Sequence, residues 1–409
     1  MPHTPLYFFL SRRILKDKGN TFSRPIIHLS VCGIALGLVI MILAIGITSG
    51  YKKAIRDCVI AMGSHIRITH FDQNYSFEQI PINKSQSVVS LLLQHPDIIG
   101  VQNYATKVGV VKTADQVEGI VLKGVDNTFM GERFKQNMVE GSLLALSDTT
   151  VSDQIIISKR MSSKLQLRLG DKVQTYFVQD PPRARMFTVV GIYETGMTEY
   201  DERYALVDLR QIQKLNDWDS SMVSGIEVLI KDYSKIDEMG SYVHHHAGYD
   251  LKAETIKQIY PDIFDWLALF DTNVAILLII TTCVCLITIV SIFFIIILEQ
   301  TYTIGILKSI GMRTNQVMRS FMLVAGQILM RGMLIGNALG LLLGYLQQHF
   351  HWVKLNPETY YVSAVPIHFN VCSILLLNVG VFVVCMLVLL VPAWIVGRKI
   401  TPIEAIRFE

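Results

Sequence analysis

The sequence predicts an α-helical membrane protein with four transmembrane helices plus a large α+β extracytoplasmic domain between helices 1 and 2. Three observations predict it. The 409 residues are 51% hydrophobic and only 17% charged, with a mean hydropathy of +0.39. Four segments, Pro25–Ile47, Val274–Leu298, Met322–Leu346 and Ser373–Val396, are long and apolar enough to span a hydrocarbon core that needs ~20 helical residues. Between the first and the second lies a stretch of roughly 220 residues with mixed strand and helix patterning, large enough for a hydrophobic core of its own.

The cations fix the expected orientation. Arg12, Arg13, Lys16, Lys18 and Arg24 precede the first span, Lys308, Arg313 and Arg319 follow the second, and Arg398, Lys399 and Arg407 follow the fourth. Between spans three and four the only Lys or Arg is Lys354. The positive-inside rule then expects both termini and the 299–321 turn in the cytoplasm and the long insert outside. The expected division is a cytoplasmic or interfacial segment 1–24, span one 25–50, the outer domain 51–269 and span two 270–298. A cytoplasmic turn 299–321, span three 322–346, an outer loop 347–372, span four 373–396 and a cytoplasmic tail 397–409 complete it.

Span one is too long for a signal-peptide core, and no small-x-small cleavage site follows it. Ser23 before Pro25 suits the start of a persistent helix, and Leu6–Leu10 with Arg12, Arg13 and Ile14 patterns as an interfacial amphipathic helix. Five of the six cysteines, Cys32, Cys283, Cys285, Cys372 and Cys385, fall in or beside spans, where cysteine acts as a small apolar residue. Cys58 stands alone in the outer domain, which therefore rests on its core rather than on a disulfide.

In that domain His65–Phe71, Glu118–Lys123 and Met186–Ile192 alternate like half-buried strands, and Ser87–Gln94 and Ser158–Leu165 pattern as helices. Leu165–Val173 carries a Gly170-Asp171 turn, and Lys252–Trp266 is expected as a helix running straight into span two. The expected arrangement is two lobes, one near 51–140 and 225–265, the other near 141–224.

Motifs for bond chemistry are missing. The chain has no Gly-x-x-x-x-Gly-Lys-Ser/Thr phosphate loop, no Gly-x-Ser-x-Gly elbow and no His-Glu-x-x-His. Three successive histidines, His244–His246, cannot converge on one ion and fit a surface loop or helix end; Asp201 and Glu202 beside Glu199 fit a solvated loop. No catalytic, metal or cofactor site is expected, and the small net charge of +3 carries no case for nucleic acid.

The membrane glycines are more informative. Gly33 with Gly37, Gly46 with Gly50, and Gly332, Gly336, Gly340 and Gly344 repeat at four-residue spacing, which lets helix backbones approach closely in lipid. Arg331 falls near the middle of span three, where an arginine costs roughly 2.5–3.5 kcal/mol on insertion scales, and so needs a partner or a wet cavity; Glu299 and Asp271 lie near the membrane edges. Thr281, Thr288 and Ser291 form a mildly polar stripe on span two that suits local bonds to the helix backbone.

The turn after span two is the most distinctive stretch. From Glu299, a short amphipathic helix carries Ile304, Leu307 and Ile310 at helical spacing with Lys308 on another face; Gly311 suits its end, and Thr314 or Asn315 the cap of the next helix. Such a helix between two spans is a lever that a soluble partner can grip.

With Ile304-Gly-Ile-Leu-Lys-Ser-Ile-Gly-Met312 in that turn, one span before the outer domain and three after it, the chain resembles the FtsX/MacB-type ABC transporter permeases. Phe22–Ile27 with Gly33–Gly37, Leu169-Gly-Asp-Lys-Val173, Leu269–Asn273 and Thr401–Arg407 make it most similar to the LolC/LolE lipoprotein-releasing permeases. The resemblance implies a separate ATPase subunit docking on Glu299, Ile304, Gly305, Leu307, Lys308, Gly311 and Met312. It also implies a second permease chain, identical or different, a lipoprotein substrate entering from the membrane lipids, and a periplasmic carrier that receives it. The short Val178–Arg185 connection, where the LolC branch has a long carrier hook, is closer to the LolE branch. A MacB-like export permease and an FtsX-like mechanotransmitter acting on a cell-wall hydrolase are the other functions that share this architecture.

Overall fold

The computed structural model describes residues 23–72, 79–84, 86–113, 116–147, 150–360 and 362–399. The interfacial helix expected at Leu6–Ile14 and the Thr401–Arg407 tail lie outside the described residues. In chain order the elements begin with α1 (Ser23–Met62), β1 (Ile66–His70), β2 (Ile82–Asn83), α2 (Gln86–Leu93), β3 (Ile98–Lys112), β4 (Val117–Val125) and α3 (Gly131–Phe134). Next come β5 (Met138–Gly141), β6 (Gln154–Ser158), α4 (Lys159–Leu165), β7 (Lys172–Phe177), β8 (Arg183–Tyr193), α5 (Thr198–Arg203), β9 (Tyr204–Asp208) and α6 (Leu209–Leu215). Then follow β10 (Met222–Val223), β11 (Gly225–Ile230), α7 (Ile236–Ala247), β12 (Leu251–Thr255) and α8 (Ile256–Ile259). The chain finishes with α9 (Pro261–Glu299), α10 (Thr301–Ser309), α11 (Thr314–Phe350), α12 (Pro357–Tyr360) and α13 (Val371–Lys399).

Two compact units divide these elements, the membrane-helix unit and an α+β unit of residues 54–266 and 355–363. In the first, α1, α9, α11 and α13 are each long and apolar enough to cross a membrane. The helices outrun the apolar stretches. A helix of 39 residues such as α9 is about 58 Å long at ~1.5 Å per residue, against a hydrocarbon core of ~30 Å. Likewise α1 continues past the expected end of span one to Met62, because Lys52, Lys53, Arg56 and Asp57 end the hydropathy signal without breaking the helix.

The helices share one core in which Ile34, Leu38 and Ile42 of α1, Ile289 and Phe293 of α9, Ile328 and Leu329 of α11 and Leu389 of α13 are all buried. Leu298, Ile287, Leu334, Leu376 and Val371 point outward, as expected where lipid is the solvent.

In the second unit, the ladders β3–β4–β9–β6–β8–β7–β3 return to their starting strand, so six strands close into a barrel. The β3–β7 seam that completes it is short, pairing Val110 with Tyr176 and Val111 with Thr175. Phe177, Phe187 and Ile120 are fully buried. At Gly109 a Cβ would sit 2.8 Å from Thr175 Cγ2, so only glycine lets β3 pass that close to β7. From β3 the sheet continues outward through β11 and β1 to β12, all antiparallel. The residues expected as two lobes therefore share strands: β3, 15 residues long, belongs to both the barrel and its extension.

Several expected elements take another form. Lys252–Thr255 is strand β12 paired with β1, not the start of a helix, and α9 begins only at Pro261, whose fixed φ and missing N–H suit a first helical turn. Asp201 is not in a solvated loop. It is buried within α5, where its carboxylate accepts the Thr195 hydroxyl at 2.7 Å, both oxygens take the Thr195 amide at 3.2 Å, and one takes the Gly196 amide at 3.1 Å. Desolvation raises its pKa, and these hydrogen bonds oppose the rise. His244–His246 occupy the last turn of α7, with the Nδ1 atoms of His245 and His246 bonded to carbonyls one turn back.

Candidate functional site

The turn between α9 and α11 is built by local sequence. Glu299 is the last residue of α9, half-buried, and α10 follows after the single residue Gln300. At its other end, the Met312 amide donates to the Leu307 carbonyl (3.0 Å) and the Gly311 amide to that of Lys308 (3.0 Å), the pairing of a Schellman cap. Gly311 holds φ +99°, which a side chain would strain. The next helix is not capped by Thr314 or Asn315. Both already belong to α11, and Arg313 occupies the cap, its amide donating to Gln316 Oε1 at 3.1 Å.

These residues divide into three roles. Ile304 and Gly305 are buried, with Ile304 in the core shared by Phe293, Ile297, Val317 and Phe321. Leu307, Lys308, Gly311 and Met312 form the cap. The free face is carried by Tyr302, Ile306 and Ile310, with Ile310 78% exposed. The single apolar stripe expected from Ile304, Leu307 and Ile310 is thus split, because α10 stops at Ser309 and the cap turns Ile310 outward. Tyr302 and Ile306 were not legible as surface residues, since helical spacing marks an apolar face without saying which side the neighbouring helices cover.

The glycine repeats lie where helices meet. A Cβ on Gly332 would come 2.8 Å from Ile34 Cγ2, one on Gly336 2.8 Å from the Ala35 carbonyl oxygen, and one on Gly340 3.3 Å from Ile42 Cβ. One face of α11 therefore lies directly on α1. Gly33 and Gly37 face α9 instead, at Thr288 and Cys285. Phe369, from the segment before α13, fills the space beside both Gly46 and Gly344, and Gly50 lies against the Pro366 carbonyl. The His368 amide donates to the Gly46 carbonyl at 2.9 Å, fastening this segment to α1.

Arg331 projects from an exposed position on α11 with no hydrogen-bond or ion-pair partner among the described residues. Asp271 is instead paired with Lys52, beside the Tyr51–Phe270 ring contact at 5.3 Å. Thr281, Thr288 and Ser291 each donate to the carbonyl four residues earlier at 2.7–2.8 Å, as their spacing suggested. Two polar features had no sequence signal. Asn337 and Asn378 bond each other across α11 and α13, and the buried Gln347 amide accepts from the Val353 amide at 3.0 Å while donating to the carbonyls of Val353 and Val365.

Four membrane-crossing helices, a capped surface turn between the second and third, and an α+β unit inserted after the first define a multi-pass membrane transport component with a periplasmic-type domain. Residues 28–244 match the MacB-like periplasmic core domain and residues 275–400 the FtsX-like permease C-terminal family. The chain belongs to the FtsX/MacB-type permeases and is of the LolC/LolE type. It is 24% identical to the lipoprotein-releasing system transmembrane protein LolC of Xylella fastidiosa over 99% of both chains. It is 21% identical to LolE of Haemophilus influenzae over 94% of this chain and 95% of that one. The similarity thus reaches both branches and does not separate them, so the expected lean towards LolE gains no support. The periplasmic region of MacB from Actinobacillus actinomycetemcomitans aligns with 49% of this chain and 93% of its own at 14% identity and a TM-score of 0.34, too loose a fit to add to this.

Proposed function

We propose that this chain is the permease subunit of an ABC transporter that extracts lipoproteins from the bacterial inner membrane for delivery towards the outer membrane. The observation that carries this reading is similarity over 99% of the chain to a protein named for lipoprotein release. The α10 turn supplies the mechanical part. A separate ATPase docks on its outward face at Tyr302, Ile306 and Ile310, while Ile304 and the Schellman cap pass the movement to α9 and α11. Both termini and this turn face the cytoplasm, following the Lys and Arg distribution. A second permease chain completes the transporter, and a periplasmic carrier receives the cargo. ATP hydrolysis belongs to the partner; the permease contributes two helix arrangements whose equilibrium nucleotide binding shifts.

A pull-down of the tagged chain in mild detergent, with mass spectrometry of everything retained, tests this. An ATPase together with acylated lipoproteins is the expected result. An ATPase with an efflux adaptor or a cell-wall hydrolase, and no lipoprotein, would replace the reading with the export or mechanotransmitter alternative.

A further inference from the structure

Within the α+β unit a cavity of about 460 Å³ lies among the end of α1, the start of β1, the segment around α3 and the end of β11. Its acidic and basic lining residues are Arg56, Asp57, His65, Arg133, Lys231 and Asp232. Both carboxylates are engaged: Asp57 lies 3.6 Å from Arg56 Nε, and Asp232 accepts the Ser234 amide at 2.9 Å. The Arg56 guanidinium is held over the Tyr233 ring, 4.5 Å from its centroid. The side chains of Arg133 and Lys231, by contrast, have no hydrogen-bond or ion-pair partner among the described residues.

His65 adds a neutral donor. Its Nδ1 accepts the Ile230 amide at 3.3 Å, which leaves the ring proton on Nε2. Burial, with Arg133 and Arg56 nearby, lowers its pKa to about 4, so the ring stays uncharged at neutral pH. The cavity thus gathers two cations without an ion-pair partner, Arg133 and Lys231, beside the Arg56–Asp57 pair, the Asp232 carboxylate and the neutral His65 ring. The lining cations exceed the carboxylates by one charge, and an anion entering beside Arg133 and Lys231 offsets that surplus.

We propose that this cavity binds the phosphate group of an anionic ligand, with Arg133 and Lys231 as its main counter-charges and Arg56 and His65 Nε2–H as oriented donors. A tetrahedral phosphate can accept from donors arriving on several sides, whereas a planar carboxylate is best matched by one guanidinium fork. Two sources share this chemistry, a dissolved phosphate and the headgroup of an anionic phospholipid. The proposal is independent of which cargo the permease carries.

The test uses the full chain in phosphatidylcholine nanodiscs. One arm titrates inorganic phosphate and follows 31P line broadening; the other adds short-chain phosphatidylglycerol and follows its 31P signal. An Arg133→Gln/Lys231→Gln double variant is compared with Lys112→Gln, an exposed lysine away from the cavity. Both cavity residues are themselves exposed, so the fold should survive, and melting checks this. We expect saturable binding that weakens at least tenfold in the double variant and not in the control. If phosphate shows this, the ligand is a dissolved phosphate; if only phosphatidylglycerol does, it is a headgroup. Saturable binding of neither probe, or binding that the double variant keeps, overturns the proposal.

Discussion

Asn337 and Asn378 exchange hydrogen bonds between two membrane helices: Asn337 Nδ2 donates to Asn378 Oδ1 at 2.7 Å, and Asn378 Nδ2 returns the bond at 3.0 Å. Each amide also donates to the carbonyl one turn earlier, Met333 and Ile374 respectively, so all four amide donor hydrogens have acceptors. Polar contacts of this kind between membrane helices average ~0.6 kcal/mol, with a maximum of ~1.7. Asn337→Leu alone strands the Asn378 amide, and we predict a lower melting temperature in detergent. Asn337→Leu with Asn378→Leu should recover most of the loss. A double variant no more stable than the single one would show that the pair does not act as a unit.

The glycines of α11 and α13 give a graded series. Alanine at Gly336 drives its Cβ to 2.8 Å from a backbone oxygen, which cannot yield, whereas at Gly340 the nearest atoms are Ile42 side-chain carbons at 3.3–3.4 Å. At Gly380 the Cβ meets nothing within 4 Å. Thermal stability should therefore fall most for Gly336→Ala, slightly for Gly340→Ala, and not at all for Gly380→Ala. Equal losses at all three positions would mean that close approach to α1 is not what these glycines provide.

Deep in the α+β unit, Glu227 accepts Lys123 Nζ at 2.7 Å and Gln102 Nε2 at 2.7 Å, with Glu227 wholly and Lys123 almost wholly buried. Removing one partner of such a pair leaves an uncompensated charge, at a cost of about 3–5 kcal/mol. Glu227→Gln should markedly accelerate limited proteolysis of this unit. Pairing Glu227→Leu with Lys123→Met should restore much of the resistance, and a double variant as labile as the single would count against a charge-burial cost.

His65 makes stability depend on pH. Its pKa falls from 6.5 to about 4 on folding, so between those values the unfolded chain binds the extra proton. Stability from this residue is complete above about 6.5 and is lost as the pH falls towards 4. The full loss is on the order of 3–4 kcal/mol, since each tenfold drop in proton affinity is worth ~1.4 kcal/mol. His65→Gln should flatten the melting-temperature profile across that window, a change readable by differential scanning fluorimetry at about pH 4.5 and 7, either side of most of this titration. An unchanged slope would assign the acid sensitivity to other groups.

The legible parts of the molecule were those in which local pattern and final environment coincide. Spans such as Val274–Leu298 are uniform apolar runs, and Gly311 marks a helix end because positive φ suits glycine wherever the helix goes. The strand at His65–Phe71 was visible by alternation alone. Barrel closure was not, because the β3–β7 seam joins residues some 65 positions apart through a few backbone bonds that leave no pattern. Asp201 was misplaced because its burial depends on donors at Thr195 and Gly196 that only the turn brings together. Lys252–Thr255 became a strand because β1 offers an edge to pair with, which overrides a weak local preference. On α10, sequence located the short helix between the two spans but not its free side, and Ile310, grouped with the packed stripe, is the most exposed of its apolar residues.

The central claim is that this chain moves lipoproteins through an ATPase held at α10. The most direct measurement is ATP-dependent release of a triacylated lipoprotein from proteoliposomes carrying the tagged chain with its co-purified partners, for the native chain and for Ile310→Asp. The account predicts that ATP moves lipoprotein into the soluble fraction, and that Ile310→Asp inserts and folds normally yet loses both the ATPase and the release. Lipoprotein that stays in the bilayer whether or not ATP is present, or an Ile310→Asp variant with full release, would contradict it.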